Sequence, residues 1–277
     1  MFTLNCKGRL LSLEKPITMG IINTTPDSFF RGNRKTEVGA AIDMAGKMLE
    51  HGASVIDIGG QSTHPSSTFL SAGEELERVL PVLEALVKAF PETIVSIDTF
   101  YAKVASETVK AGAAIINDIS GGTLDSDMVP TVGSLGNVPY VCMHTRGTPQ
   151  TMQHLAQYDD VAKEVLDFFI RKIEVCRLAG IKDVIVDPGF GFAKNLEHNY
   201  ELLRHLGDLR ILERPILVGV SRKRMISHPL GANGEEALNG TTVVHTIALL
   251  NGAHILRVHD VKEAMEAIKL VETYQGK

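Results

Sequence analysis

Four times the chain ends a helix-like stretch on Gly, runs through a short unbroken apolar segment, and finishes on polar residues. These repeats lie at 51–59, 111–118, 179–187 and 251–259. Gly52, Gly112, Gly180 and Gly252 stand where a helix would end in the left-handed conformation that glycine tolerates. The apolar runs, such as Val184-Ile185-Val186, show no alternation with polar residues. They therefore predict strands buried on both faces, as in a parallel sheet covered by helices. The polar residues that follow fall at strand carboxyl ends, where parallel α/β folds bind their ligands.

The same pattern extends to eight strands, expected at 18–22, 55–59, 94–98, 115–118, 140–143, 184–187, 216–219 and 255–258. Helical periodicity follows each of them. Over 74–90 it puts Leu76, Val79, Leu80, Leu83, Leu86 and Val87 on one face. Over 158–178 it gathers Val161, Val165, Phe168, Phe169, Ile173 and Val175, and further helices are expected over 235–250 and 261–273. Before the first strand, weak alternation around Lys7-Gly8 predicts a short hairpin covering the bottom of the fold. Eight strand–helix units in even succession predict a single (β/α)8 TIM barrel with an N-terminal β-hairpin, in preference to an open doubly wound sheet. With no linker-like composition shift, one domain over 1–277 is expected.

The bulk composition narrows the function. The 277 residues are 44% hydrophobic with a formal net charge of −5, and mean hydropathy is +0.07. No basic block points to nucleic acid or to an acidic membrane surface. Three scattered cysteines, Cys6, Cys142 and Cys176, suit a reducing compartment better than a disulfide framework. The beginning of the chain lacks a signal-peptide pattern and no apolar run reaches membrane-spanning length, so a cytoplasmic location is expected. Neither a CxxC nor an HExxH zinc pattern occurs, nor a Walker A loop, nor a GxSxG elbow.

On a barrel, the polar strand ends converge on one mouth. Asp98, Asn117 and Asp187 offer two carboxylates and an amide, a set suited to the N–H edge of a flat heterocycle. Lys223, Arg257 and His259 offer positive charge for phosphate or carboxylate. Phe29 and Phe192 could sandwich a ring, and Gly189, Gly191 and Gly219 permit close backbone approach. Plainer roles are expected elsewhere. Asp57 and Asp118 are read as structural carboxylates, His144 and His245 as satisfied core histidines, and Cys142 and Met143 as core and wall. The run Arg222-Lys223-Arg224 would be a solvated face but for its place directly after a buried strand. The segment 189–194 is half a dinucleotide loop, without the third glycine and in the wrong place for one.

Six ordered motifs go further. Met19-Gly20-Ile21-Ile22-Asn23-Thr24-Thr25-Pro26-Asp27-Ser28-Phe29 and Asp57-Ile58-Gly59-Gly60-Gln61-Ser62-Thr63-His64-Pro65 resemble signatures of the dihydropteroate synthase family. So do Ile116-Asn117-Asp118-Ile119, the run from Asp187 to Lys194, Ser221-Arg222-Lys223, and Arg257-Val258-His259-Asp260-Val261. The resemblance spans essentially the whole chain. It implies an enzyme of folate synthesis that joins 7,8-dihydropterin-6-ylmethyl diphosphate to 4-aminobenzoate, releasing diphosphate and 7,8-dihydropteroate.

What the resemblance implies for residues follows position by position. Asp98, Asn117, Asp187 and Lys223 hold the pterin, with Ile119, Met143 and Gly219 lining its pocket. Asn23, Thr63, His64, Arg257 and His259 face the diphosphate, and Asn23 also sits near Mg2+. Phe29, Thr63, Pro65, Phe192, Ser221, Lys223 and Arg224 surround the aminobenzoate, with free N–H groups from a helix starting near Ser221. Asn23, Asp98, Asp187 and Lys223 carry the catalysis. A homodimer is implied as well. The alternatives are a methyltetrahydrofolate-binding methyltransferase barrel and a non-catalytic pterin-binding paralogue.

Two loops depart from the family pattern. The usual Glu-Ser-Thr-Arg-Pro is Gln61-Ser62-Thr63-His64-Pro65 here, which replaces a fixed cation by a titratable one. The first loop continues Phe29-Phe30-Arg31-Gly32-Asn33, with an added aromatic and an added cation. Both changes fall on the aminobenzoate and diphosphate side of the expected site.

Overall fold

The computed structural model describes residues 2–24, 34–61 and 69–276. It opens with an antiparallel hairpin, β1 (Thr3–Cys6) and β2 (Arg9–Ser12), joined by the two-residue turn Lys7-Gly8. Eight parallel strands follow: β3 (Ile17–Asn23), β4 (Val55–Gly59), β5 (Ile94–Asp98), β6 (Ile115–Asp118), β7 (Tyr140–Met143), β8 (Val184–Asp187), β9 (Leu217–Val218) and β10 (Ile255–Val258). They pair in the order β8-β7-β6-β5-β4-β3-β10-β9. The ring is closed between β8 and β9 by a single parallel bridge, Val186 to Ile216, and by the Val186 N–H donating to the Pro215 carbonyl at 2.9 Å.

Around the strands lie α1 (Arg34–Glu50), α2 (Ala72–Ala89), α3 (Ala102–Lys110), α4 (Met128–Leu135), α5 (Val161–Leu178), α6 (Leu196–Arg204), the single turn α7 (Arg224–Ser227), α8 (Leu238–Leu250) and α9 (Val261–Tyr274). This is the expected (β/α)8 barrel with its hairpin. The four Gly-capped repeats are the reason it was legible. Gly52, Gly112, Gly180 and Gly252 take φ values of 99°, 118°, 88° and 97°, left-handed in every case. Each turns the chain from a helix into the next buried strand.

Two apolar clusters build the body. The larger lies between strands and helices, where α2 buries Leu76, Val79, Val82, Leu83 and Leu86. Full burial of a leucine side chain contributes about 1.5–3 kcal/mol, so this face alone fixes the helix on the sheet. The second cluster fills the lower barrel with Met19, Val55, Ile94, Ile115, Val141, Ile185, Leu217 and Ile255. Leu4, Cys6 and Leu13 of the hairpin region join it, so the hairpin plugs the end opposite the mouth.

The differences from expectation are local. α2 begins at Ala72, not 74, because Ser71 and Glu74 form a reciprocal capping box two residues upstream. α5 begins at Val161, where Asp160 caps it by accepting the Lys163 N–H at 2.9 Å. On that helix Val175 is exposed and Cys176 takes the buried position. The strand expected at 216–219 is regular only at Leu217–Val218. The apolar pattern there reported burial correctly, but not how little backbone pairing accompanies it.

Candidate active site

Six strands deliver side chains to one mouth and a seventh leads into a glycine there. Asn23 ends β3, Asp98 ends β5, Asn117 lies near the end of β6, Met143 ends β7, Asp187 ends β8, Gly219 follows β9, and Arg257 is on β10. A strand tip is the right address because the parallel register holds the backbone rigid up to that residue. Gly59 pairs with Asp98, and Asp98 with Asn117, in adjoining ladders.

At the centre is a charge network. Arg257 donates from Nε to Asp57 Oδ2 at 2.6 Å and from its terminal nitrogen to Asp98 Oδ2 at 2.6 Å. Asn117 Nδ2 donates to the same Asp57 oxygen at 3.0 Å. Asp57 is fully buried, and its other oxygen has no protein partner. It is structural in the sense expected, but its structural work is to orient two site residues at once. Burial pushes the Asp98 carboxyl up to about 7, against the pull of Arg257 and with Asp57 and Glu75 reinforcing it. The Arg257 guanidinium is held firmly cationic by Asp57 and Asp98 despite its burial. Its two bonds leave three of the five N–H groups of a guanidinium for a ligand.

Asp187 is buried, and its Oδ1 accepts the Gly189 N–H at 2.8 Å. Burial raises its carboxyl, with Lys223 the largest opposing influence. The Lys223 ammonium donates to the Phe190 carbonyl at 2.6 Å and lies 4.8 Å from the centre of the Phe192 ring. Burial lowers it to about 8, with Asp187 acting against that. A side chain at Gly219 would fall 3.9 Å from Lys223 Nζ and 4.0 Å from Asp187 Oδ2. Glycine there keeps open the space between the two charges. Beside it, Ile119, Met143 and Phe100 form a small buried apolar cluster with Phe192 packed against it, which is the wall a flat ring needs.

The cationic run after β9 divides three ways. Arg222, left-handed at φ 57°, clamps Asp260 through Nε at 2.8 Å and a terminal nitrogen at 2.5 Å. Lys223 enters the site, and Arg224 is exposed. The helix expected to start near Ser221 begins at Arg224 and is one four-residue turn, too short to carry a dipole-based anion site. The Ser221 hydroxyl instead accepts the His259 N–H at 3.2 Å and lies 3.1 Å from His259 Nδ1. His259 was expected to bring positive charge. Although the residue is exposed, desolvation of its ring and the cations Arg257, Arg222 and Lys223 push it down to about 4. It is a neutral hydrogen-bonding group in this setting.

Phe29, Thr63, His64 and Pro65, with Phe30 and Arg31, lie outside the described residues. Gln61, at the edge of that segment, pairs with both backbone groups of Leu70 and donates to Glu75 at 3.1 Å. Among the plainer expectations, Asp118 is indeed consumed structurally, accepting from Tyr140, Ser120 and Gly122. His144 is buried with Nδ1 on Lys194 Nζ at 3.0 Å, but His245 is buried with Nε2 unpaired, so only the first is satisfied. Lys194, which closes the 187–194 motif, is buried and donates to the Gly189 and Phe192 carbonyls, contacts that no local feature of the sequence indicates.

A barrel mouth with two carboxylates, an amide, an apolar wall and adjoining cations is paralleled in known proteins. Residues 19–259 match the family model described as pterin binding enzyme. The dihydropteroate synthase of Escherichia coli K12 is 44% identical over 96% of this chain and 94% of its own length. The Yersinia pestis dihydropteroate synthase, solved with a sulfonamide drug complex, superposes with a TM-score of 0.93 at 42% identity, covering 100% of both chains. The Xanthomonas albilineans enzyme in complex with 7,8-dihydropteroate gives 0.87 at 36% identity over 99% of each chain. The chain belongs to the dihydropteroate synthase family of pterin-binding enzymes, the transferases of folate synthesis.

Proposed function

We propose that this mouth binds 7,8-dihydropterin-6-ylmethyl diphosphate and 4-aminobenzoate and joins them by a dissociative displacement. The observation that carries the reading is the Arg257 bridge. One guanidinium links Asp98, the ring-reading carboxylate, to the open side of the mouth where His259 and Asn23 stand. In this reading Asp98, Asn117, Asp187 and Lys223 hold the pterin edge against the wall of Ile119 and Met143, in the space Gly219 leaves clear.

The bond between the pterin methylene and the diphosphate oxygen breaks first, and its electron pair leaves with diphosphate. The electron-rich dihydropterin spreads the positive charge that develops, and the buried carboxylates Asp98 and Asp187 favour that cation. The aminobenzoate nitrogen then forms the new C–N bond and gives up a proton to solvent water. Arg257 and His259 donate hydrogen bonds to the departing diphosphate. Phe192, Ser221, Lys223 and Arg224, with Phe29, Thr63 and Pro65, surround the aminobenzoate, and Thr63 and His64 complete the diphosphate side.

The donor set fits Mg2+ carried in with the diphosphate. A side chain at Gly59 would lie 3.6 Å from Asn23 Oδ1 and 3.7 Å from Asp98 Oδ2, so two hard oxygens flank one strand tip. When bound there, Mg2+ supplies charge neutralisation for the leaving group. Among the described residues no group of three His, Cys, Asp or Glu could hold a metal ion by itself.

A homodimer in the cytoplasm completes the reading. Val243, Ile247 and Leu250 on α8, with Leu270 and Tyr274 on α9, leave apolar surface exposed on two helices that pack together. Among the described residues no helix is long and apolar enough to cross a membrane. The test is diphosphate release by the purified chain, expected only when pterin diphosphate, aminobenzoate and Mg2+ are all present. Methyl transfer from a methylated folate to a cobalamin protein, or binding of the pterin without turnover, would replace this reading with one of the alternatives.

A further inference from the structure

The loop after β8 reverses the chain through three left-handed residues in alternation: Gly189 at φ 71°, Gly191 at 80° and Ala193 at 48°. For Ala193 that conformation costs about 1–2 kcal/mol. At Gly189 a side chain would meet the His144 carbonyl oxygen at 2.0 Å, so the backbone of the loop lies directly on the end of β7. A turn of this kind persists only if its surroundings over-determine it.

Two lysines do so, from opposite directions. Lys223 donates to the Phe190 carbonyl at 2.6 Å from the site. Lys194 donates to the carbonyls on either side of it, Gly189 at 3.0 Å and Phe192 at 3.1 Å. The third N–H of the Lys194 ammonium meets His144 Nδ1 at 3.0 Å, with the His144 carbonyl at 3.5 Å. Burial pushes His144 down to about 2, which keeps the ring neutral, so that Nδ1 can accept from the ammonium. Phe190 is fully buried and anchors the centre of the loop, while Asn199 Oδ1 accepts the Gly191 N–H at 2.7 Å.

Lys194 itself is only 4% exposed. Burying a cation is expensive, and burial lowers its ammonium to about 7, with Asp187 the main opposing influence. An apolar side chain of the same length would avoid that cost but leave the Gly189 and Phe192 carbonyls without this donor. What the ammonium adds is a fixed position for two consecutive features of the site. These are the Phe190 carbonyl that receives Lys223, and the Phe192 ring that lies 4.8 Å from the same ammonium.

We propose that Lys194 is a positioning residue for the aminobenzoate half of the reaction, acting through the 189–192 loop on Phe192, whose carbonyl it holds. The assignment rests on the reading above that Phe192 receives aminobenzoate. The Lys194 ammonium bonds to backbone carbonyls and to His144, so its influence on the substrate passes through the loop.

The test is steady-state kinetics and calorimetry on the full chain with Mg2+. Lys194→Met keeps length and loses the hydrogen bonds and charge. Its KM for aminobenzoate is expected to rise at least tenfold, while the Kd for pterin diphosphate stays within threefold. Lys194→Gln keeps part of the hydrogen bonding and should fall between. Phe192→Ala should raise the same KM, and Lys194→Met with Phe192→Ala should be little worse than Phe192→Ala alone, because both act through one loop. Additive effects, equal rises in both substrate constants, or an unchanged aminobenzoate KM would each overturn the assignment. If Lys194→Met does not fold, Lys194→Gln and His144→Leu carry the same comparison, and wild-type aminobenzoate KM in both overturns it. A wild-type chain that forms no dihydropteroate would instead remove the functional reading.

Discussion

Arg257 and Asp98 meet at 2.6 Å although β10 and β5, which carry them, are separated in the sheet by β3 and β4. The guanidinium reaches past two intervening strands, and fully buried Asp57 accepts from the Nε beside the terminal nitrogen that meets Asp98. In the proposed reading, a diphosphate that drew on Arg257 would loosen its hold on Asp98, so that the two halves of one substrate would be coupled through a single side chain.

Asp98→Asn keeps the shape of the group and removes its charge. Turnover at saturating aminobenzoate and Mg2+ is expected to fall at least about 100-fold, the scale of losing one electrostatic contact to a developing charge. Steady-state diphosphate release measures it, and near wild-type turnover would remove Asp98 from the mechanism.

Lys223 is expected to serve both substrates, so Lys223→Ala should weaken pterin diphosphate and aminobenzoate together. Normal calorimetric binding of pterin diphosphate with an altered aminobenzoate KM would contradict the shared role. Its ammonium is lowered to about 8. Charge is lost as pH rises through that value, so kcat/KM for the wild type should decline on an alkaline limb near pH 8. Lys223→Met should be slower throughout and lack that limb.

His144 gives a stability prediction with a definite sign. Its folded value is about 2 against 6.5 for the free side chain. Below pH 6.5 the unfolded chain binds a proton that the folded chain refuses, so stability is lost as pH falls. Between neutrality and about pH 4.5 this one group costs about 2–3 kcal/mol. Urea unfolding should show His144→Leu losing less stability than the wild type over that interval, by about this amount. Parallel losses would place the acid sensitivity elsewhere.

Gly133 lies in α4 where it crosses the end of α5. A methyl group there would stand 2.0 Å from the Ala179 carbonyl oxygen, which is backbone and cannot rotate away. Gly133→Ala is expected to destabilise by at least about 2 kcal/mol, despite the better helix propensity of alanine. Thermal unfolding with the melting temperature unchanged would show that α4 shifts freely.

The barrel was legible because its signals were strong and local. Gly caps, unbroken apolar strands and helical stripes each follow from short stretches of chain, and six strands fall on the residues expected. The site was legible at its centre for the same reason, since strand tips converge wherever a barrel closes. What could not be read were contacts made across the mouth. Nothing local to Asp57 says that it orients Asn117 and Arg257 together, and nothing local to Lys194 says which carbonyls it meets. The short helix α7 was misplaced by three residues because Arg222 takes a left-handed conformation that sequence alone does not announce. The positive charge expected of His259 is opposed by burial of its ring and by Arg257, Arg222 and Lys223, the last two brought in from another segment.

The barrel is stitched unevenly. Between β8 and β9 one bridge replaces a ladder, while the other junctions among its strands carry two to five paired residues. The Lys223 ammonium on the Phe190 carbonyl crosses that same seam from above. The space that Gly219 leaves between Asp187 and Lys223 thus straddles the least-fastened joint of the ring. In the proposed reading, a molecule gripped by both residues would act as a rivet, and the work of recognising it would be shared with the work of keeping the barrel shut.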